Sequence, residues 1–232
     1  FSKYIILTLD NNNYCLIHLG MSGTLHLINY KQNEKITNLS FYHSKNLPKK
    51  HNHIKIKFSN FMIIYNDPRR FGFLKILNNK KKIKKYYQIL GSEAITSKFN
   101  FKYIKYKFIN KKKNIKNFLL DQNFVSGIGN IYANEILFYS KINPLKLAKK
   151  LSNKEIGKLA KYSKLVLNLS IKFGGSSIRD FKNAKGISGL FQNNFKVYDR
   201  ENKSCVRKNC KGKIIKIFIS NRSSFFCKFC QK

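Results

Sequence analysis

Four of the five cysteines lie near the C-terminus, as Cys205-x4-Cys210 and Cys227-x2-Cys230. Thiolates are soft ligands, and two such pairs offer the closed tetrahedral set that a structural Zn²⁺ takes. Between the pairs, "KIIKIFIS" and "SSFF" read as a β-hairpin with a pair near each end. Disulfides are the alternative, and they belong to oxidising compartments. The hairpin tip carries Arg222. On a metal-clamped hairpin an arginine is a rigid phosphate contact; taken alone it is equally a solvated side chain. The fifth cysteine, Cys15, sits in an apolar run and reads as a small buried residue.

A second candidate is "DQNFVSGIGNIYANE", residues 121–135, which puts Gly127 and Gly129 between two helical stretches. Glycines permit a tight turn and close approach of a ligand. The first N–H groups of the following helix would face that turn, where a phosphate binds naturally. An ordinary packing turn has the same spacing.

A third is "NDPRRFGF", residues 66–73. Asp67 and Pro68 can set a turn, and Gly72 can release it. Arg69 and Phe71, two apart, project to one side if the stretch is extended, with Arg70 pointing elsewhere. A core would refuse the arginines and a solvated turn would refuse the phenylalanine.

Net charge agrees with a polyanionic partner: 47 basic against 10 acidic side chains give +37. Only six of the basic residues are arginines, however, and Asn, Ile, Phe and Tyr are abundant while Trp is absent. That is the residue set of AT-rich codons, so the placement of the arginines says more than the total charge. No membrane-length apolar run or cleavable signal is visible, which makes an intracellular location the expectation. The sequence opens on Phe1 and runs straight into "YIILTL", so further chain is expected upstream.

These residues need elements to hold them. Short apolar runs at 3–9, 14–19, 24–30, 53–58 and 61–66, split by turn signals, predict an antiparallel sandwich or barrel, with 31–52 as loop. Helical spacing follows at 80–91, 97–110, 114–122, 130–141 and 152–175. Asn130 is the expected N-cap of the fourth helix. Ser152 and Glu155 form a capping box for the fifth, and Gly174-Gly175 would stop it.

Taken together and in order, "HLGMSG" (18–23), "DPRRFGF" (67–73), "GIGNIYANE" (127–135) and the four-cysteine hairpin resemble the bacterial formamidopyrimidine-DNA glycosylases over essentially the whole chain. The sister endonuclease VIII type shares the glycine turn and the finger, and it stands second. The resemblance implies an α+β fold. A partial antiparallel β-sandwich spans 1–92, a helix–two-turn–helix domain 93–194, and a zinc finger 195–232. It implies a DNA-repair glycosylase and AP lyase. Such an enzyme flips 8-oxoguanine or formamidopyrimidines from duplex DNA, cuts the glycosidic bond and nicks by β,δ-elimination. It implies one structural Zn²⁺ on Cys205, Cys210, Cys227 and Cys230. Its setting would be the bacterial cytoplasm, on the nucleoid, as a monomer and with no membrane.

By the same resemblance Met21, Arg69 and Phe71 fill the void left by the flipped base. Lys3 gives a proton in β-elimination, and Arg222 serves δ-elimination and grips phosphate. His51, Lys111, Lys116, Gly129 and Asn130 contact DNA phosphates, and 174–191 covers the flipped base. The family's nucleophile is an N-terminal proline followed by glutamate. Phe1 is neither, so the chain as written is expected to bind lesions without forming the covalent adduct. A non-catalytic DNA-binding relative, or an RNA-binding zinc ribbon, are the competing classes.

Overall fold

In a computed structural model of the chain, residues 2–30, 49–176 and 189–232 are described. They divide into two compact units. One gathers Lys3–Tyr86 with the described part of Phe173–Gln192; the other gathers Tyr87–Lys172 and Asn193–Lys232. The cysteine-bearing segment, expected as a domain of its own, is therefore grouped with the helices. Of the loop expected at 31–52, residues 31–48 lie outside the described residues, as does 177–188 of the segment expected to cover the base.

The first unit holds β1 (Tyr4–Thr8), β2 (Tyr14–His18), β3 (Thr24–Asn29), β4 (Asn52–Lys57), β5 (Phe61–Asn66), β6 (Phe73–Leu77) and helix α1 (Lys80–Gln88). The strands make two three-stranded antiparallel sheets, ordered β1-β2-β6 and β3-β5-β4. Central and edge strands differ as their surroundings require. Cys15, Leu16 and Ile17 in β2, and Ile64, Tyr65 and Asn66 in β5, are buried consecutively, so both faces are covered. Edge strand β4 alternates instead, with His53, Lys55 and Lys57 exposed. Strand β6 was not anticipated. It follows the "DPRRFG" turn directly and pairs with β2 from Tyr14↔Leu77 to His18↔Phe73. The turn and "HLGMSG" thereby leave neighbouring strands at the same end.

The second unit holds β7 (Ser92–Glu93), α2 (Phe101–Phe108), α3 (Ile115–Leu120), β8 (Val125–Ser126), α4 (Asn130–Ser140), α5 (Asn153–Lys172), and the antiparallel hairpin β9 (Ile214–Ile219) and β10 (Arg222–Cys227). Helix α2 is shorter than the 97–110 expected, because the Asn100 side chain caps it by accepting the Tyr103 N–H. The Ser152–Glu155 capping box forms in both directions, at 2.8 and 3.3 Å. Phe108, Phe118 and Phe124 pack with ring centroids 5.1 to 5.4 Å apart. Helix α4 is the centre of this unit, buried continuously from Ala133 to Phe138. Among the described residues, no helix is long and apolar enough to cross a membrane.

A helix buried this deeply needs partners for its polar side chains, and α4 uses them to fasten the C-terminal segment. The Glu135 carboxylate, fully buried, accepts the N–H groups of Lys196, Val197 and Tyr198 at 2.9 to 3.0 Å. Burial pushes its carboxyl up, and the three donors and Lys196 pull against that. Asn134 accepts the Phe225 N–H at 2.8 Å. Arg207 donates to the Phe138 carbonyl at 2.7 Å, and buried Gln231 donates to the Ile142 carbonyl at 2.9 Å. Glu135→Gln would turn an NH₂ towards a backbone donor, whichever way the amide sits. The expected loss is about 2–4 kcal/mol, read as a lower urea midpoint at unchanged m-value; an unchanged midpoint would count against this anchoring.

Candidate nucleic-acid interface

The first unit displays the three residues expected to enter DNA. Met21, 60 % exposed, and Phe71, 58 % exposed, stand out from their loops, and both Arg69 and Arg70 are exposed. The Arg69 guanidinium lies over the Phe71 ring, 4.7 Å from its centroid. Arg69 and Phe71 thus share a side, but not by extension. Arg70 between them is left-handed, with φ 55°, and the Arg70 N–H returns to the Asp67 carbonyl at 3.3 Å.

The turn closes around the buried Asp67 carboxylate. It accepts the Ser22 hydroxyl, the Tyr65 hydroxyl at 2.8 Å, the Gly72 N–H at 2.9 Å and the Arg69 N–H at 3.3 Å. Burial opposes ionisation, but these donors outweigh it and hold the carboxyl below its usual range. Tyr65 is pushed up, by burial first and then by its bond to this anion. His51, half-buried at the end of the 3₁₀ turn Lys49–His51, gives its carbonyl to the Asp67 N–H at 3.0 Å. His53 donates to the Asp67 carbonyl at 2.8 Å. Lys3 precedes β1 in a left-handed conformation, φ 71°, and is exposed. His18, stacked on Phe73 at 5.7 Å, is pushed down by burial and then by the Lys3 charge.

In the second unit the glycine turn is stapled by Gln122, which sequence reading passed over. Its side chain accepts the Gly127 N–H at 3.0 Å and donates to the Ile128 carbonyl at 3.1 Å. The N-cap of α4 is Gly129, not Asn130, and no side chain caps the helix. Asn130 is the first helical residue, and its amide donates to the Ser223 carbonyl at 3.1 Å.

Lys116 also departs from expectation. Its side chain is fully buried, and the ammonium donates to the Ser223 carbonyl at 2.8 Å and to the Ser224 hydroxyl. A surface phosphate contact is not what this arrangement offers; it clamps the hairpin next to Arg222. Arg222 is exposed, just past a two-residue turn in which Ser220 and Asn221 both have positive φ, as tight hairpins require. Lys113, Asn117, Asp121, Ser220 and Arg222 line an open cleft of about 290 Å³. The lysine here is Lys113, paired with Asp121 at 3.3 Å. Lys111 lies on the turn after α2, exposed, with its carbonyl on the Lys149 N–H.

The four C-terminal cysteines converge, with all sulfurs within 4.8 Å of one another. Cys205 and Cys230 are 3.8 Å apart, and Cys210 and Cys227 3.6 Å. Disulfide sulfurs would be about 2.05 Å apart. A tetrahedral ion with thiolates at about 2.3 Å requires edges of about 3.8 Å, so the set fits a metal.

Burial, and after it the Arg222 charge, push the Lys116 ammonium down to about 8. Unfolded lysine titrates near about 10.4, so between these values the unfolded chain holds the extra proton and stability rises with pH. Lys116→Met should lack this rise. Relative to the variant, the wild-type chain should gain up to about 3 kcal/mol between about pH 7 and pH 10.5 in urea unfolding. Parallel pH profiles would contradict a Lys116 ammonium desolvated by the fold.

Two sequence profiles match this chain: the formamidopyrimidine-DNA glycosylase N-terminal domain over residues 1–74, and the H2TH domain of the same enzymes over residues 90–182. A formamidopyrimidine-DNA glycosylase of Roseobacter denitrificans is 40 % identical over 233 residues, covering 100 % of this chain and 80 % of that protein. One from Rickettsia bellii is 38 % identical over 234 residues, covering 100 % and 79 %. Among solved structures, the Lactococcus lactis Fpg bound to DNA with an abasic site superposes with a TM-score of 0.84 at 31 % identity, covering 99 % of this chain and 79 % of that one. A MutM complex with DNA containing carbocyclic 8-oxoguanine gives 0.82 at 31 % identity, covering 99 % and 78 %.

Proposed function

The chain belongs to the formamidopyrimidine-DNA glycosylase family of DNA-repair proteins, and on that premise we propose that the intact protein excises oxidised purines, 8-oxoguanine and formamidopyrimidines, from duplex DNA and nicks the resulting abasic site by β,δ-elimination, and that the chain as written recognises the same lesions. The observation that carries this reading is the exposed Arg69–Phe71 stack on a turn held by a buried anion. Exposed aromatic and cationic side chains on one rigid turn suit the gap left when a base is flipped from the stack. Phe71 wedges between base pairs, Arg69 hydrogen-bonds the cytosine left alone, and Met21 fills the space of the lost base.

Lys3 gives the proton in β-elimination. Arg222 takes part in δ-elimination and grips a phosphate, with its hairpin held by Lys116, Asn130 and a structural Zn²⁺ on the four thiolates. The uncapped α4 N-terminus at Gly129 takes another phosphate, and His51 and the lysines at 111–113 take others. The protein acts as a monomer on the nucleoid of a bacterial cytoplasm. Complexes of related proteins with DNA carrying Fapy-dG, 8-oxoguanine analogues and abasic sites support the substrate class.

The two neighbouring arginines separate this reading from simple electrostatic binding. Arg69→Ala should cost about 1–3 kcal/mol of preference for 8-oxoguanine opposite cytosine over an undamaged duplex. Arg70→Ala should weaken both duplexes alike. Competition binding with both duplexes reads this directly, and equal losses of preference would refute the assignment of Arg69.

A further inference from the structure

We propose that Asp67 and Ser22 are positioning residues that join the Met21 loop to the Arg69–Phe71 turn, so that the exposed side chains of both loops are held as one rigid reader. The inference rests on the reading of this surface as the site that senses the lesion. Neither residue touches DNA in that reading; both act through their neighbours.

The two loops are 45 residues apart in sequence at the Ser22–Asp67 bond, yet they share one buried anion. Ser22 is 2 % exposed and Asp67 0 %. The Ser22 oxygen also accepts the Arg69 N–H at 3.2 Å, so one hydroxyl is bonded to the base of the other loop twice. The backbones meet as well. A Cβ on Gly20, whose φ is 63°, would lie 2.7 Å from the Gly72 nitrogen and the Phe71 carbonyl carbon. A Cβ on Gly72 would fall on the Tyr65 hydroxyl, 2.0 Å away. Backbone contact without side chains between lets Met21 and Phe71 emerge from adjoining positions.

A carboxylate is required because of how its donors are divided. One oxygen faces the Ser22 hydroxyl and the Arg69 N–H; the other faces the Tyr65 hydroxyl and the Gly72 N–H. An asparagine in either orientation would set its NH₂ against a backbone N–H. Hydroxyls can rotate to accept, but amide protons cannot. Loss of one such bond leaves a buried backbone N–H unpaired, a cost that opposes the closed turn.

The sequence offers a direct probe, since Met21 and Met62 are its two methionines. In methyl-labelled methionine spectra of the full zinc-loaded chain, Asp67→Asn should move the Met21 signal towards its random-coil position while Met62, inside β5, stays in place. Preference for 8-oxoguanine over undamaged duplex should fall by about tenfold or more, with undamaged affinity within about twofold. A Met21 signal that does not move overturns the proposal. So does a loss shared equally by both duplexes, which is what general damage to the fold would give. If both methyl signals collapse because Asp67→Asn unfolds the chain, Tyr65→Phe removes one donor and keeps the carboxylate, and the same outcomes decide. A wild-type chain with no lesion preference would count against the functional reading alone, because the methyl shift reports on loop coupling without DNA.

Discussion

An ion taken out of water must be met by hydrogen bonds, and both units of this protein are organised around one that is. In the first unit the ion is the Asp67 carboxylate with its four donors. In the second it is the Lys116 ammonium, set on Ser223 and Ser224. Each sits directly beneath residues that face solvent: Arg69 and Phe71 over the one, Arg222 beside the other. Exposed side chains on short turns would ordinarily sample many positions. A buried charge with fixed partners permits few, because any movement leaves an ion or a backbone N–H unsatisfied. The depressed pKa of Lys116 and the clash that any side chain on Gly72 would meet are both costs of that arrangement.

Much of this was legible in the sequence, for local reasons. The four cysteines, the Ser152–Glu155 box and most strands are written in short spacings, and the structure forms them where expected. The residues that escaped are those whose partners lie far along the chain. Strand β6 looks like the tail of a turn motif until β2, about sixty positions earlier, supplies its ladder. Lys116 in "NIKNFLLD" was expected at a DNA phosphate, yet its partners are 107 and 108 residues away in the chain. Asn130 has the right side chain for a cap but lies one residue inside the helix, where its NH₂ donates to the Ser223 carbonyl, and Gly129 caps α4 by backbone conformation alone. The pairing of Arg69 with Phe71 was anticipated from an extended stretch; it arises instead through a left-handed Arg70.

The same logic extends to the C-terminal hairpin. Its two strands would be marginal alone. Four cysteine sulfurs converge at its ends, and Asn134, Arg207 and Gln231 bind it to α4 and the turn that follows. Glu135 secures the chain that leads into it. The motif "GIGNIYANE" is then not one signal but two. Its glycines shape a turn with an uncapped helix start, and its Asn-Glu end anchors the segment that carries Arg222. A surplus of lysine favours any polyanion, whereas the proposed function assigns discrimination among them to these fastened positions.

The most direct test compares one duplex with and without 8-oxoguanine opposite cytosine, bound by this chain at low and at moderate salt. Counterion release makes both affinities fall steeply with salt. If the Arg69–Phe71 turn senses the lesion, the damaged duplex stays favoured at both concentrations, with a nearly constant ratio. Equal affinity for the two duplexes at both concentrations would contradict lesion recognition and leave only a basic protein that binds nucleic acid.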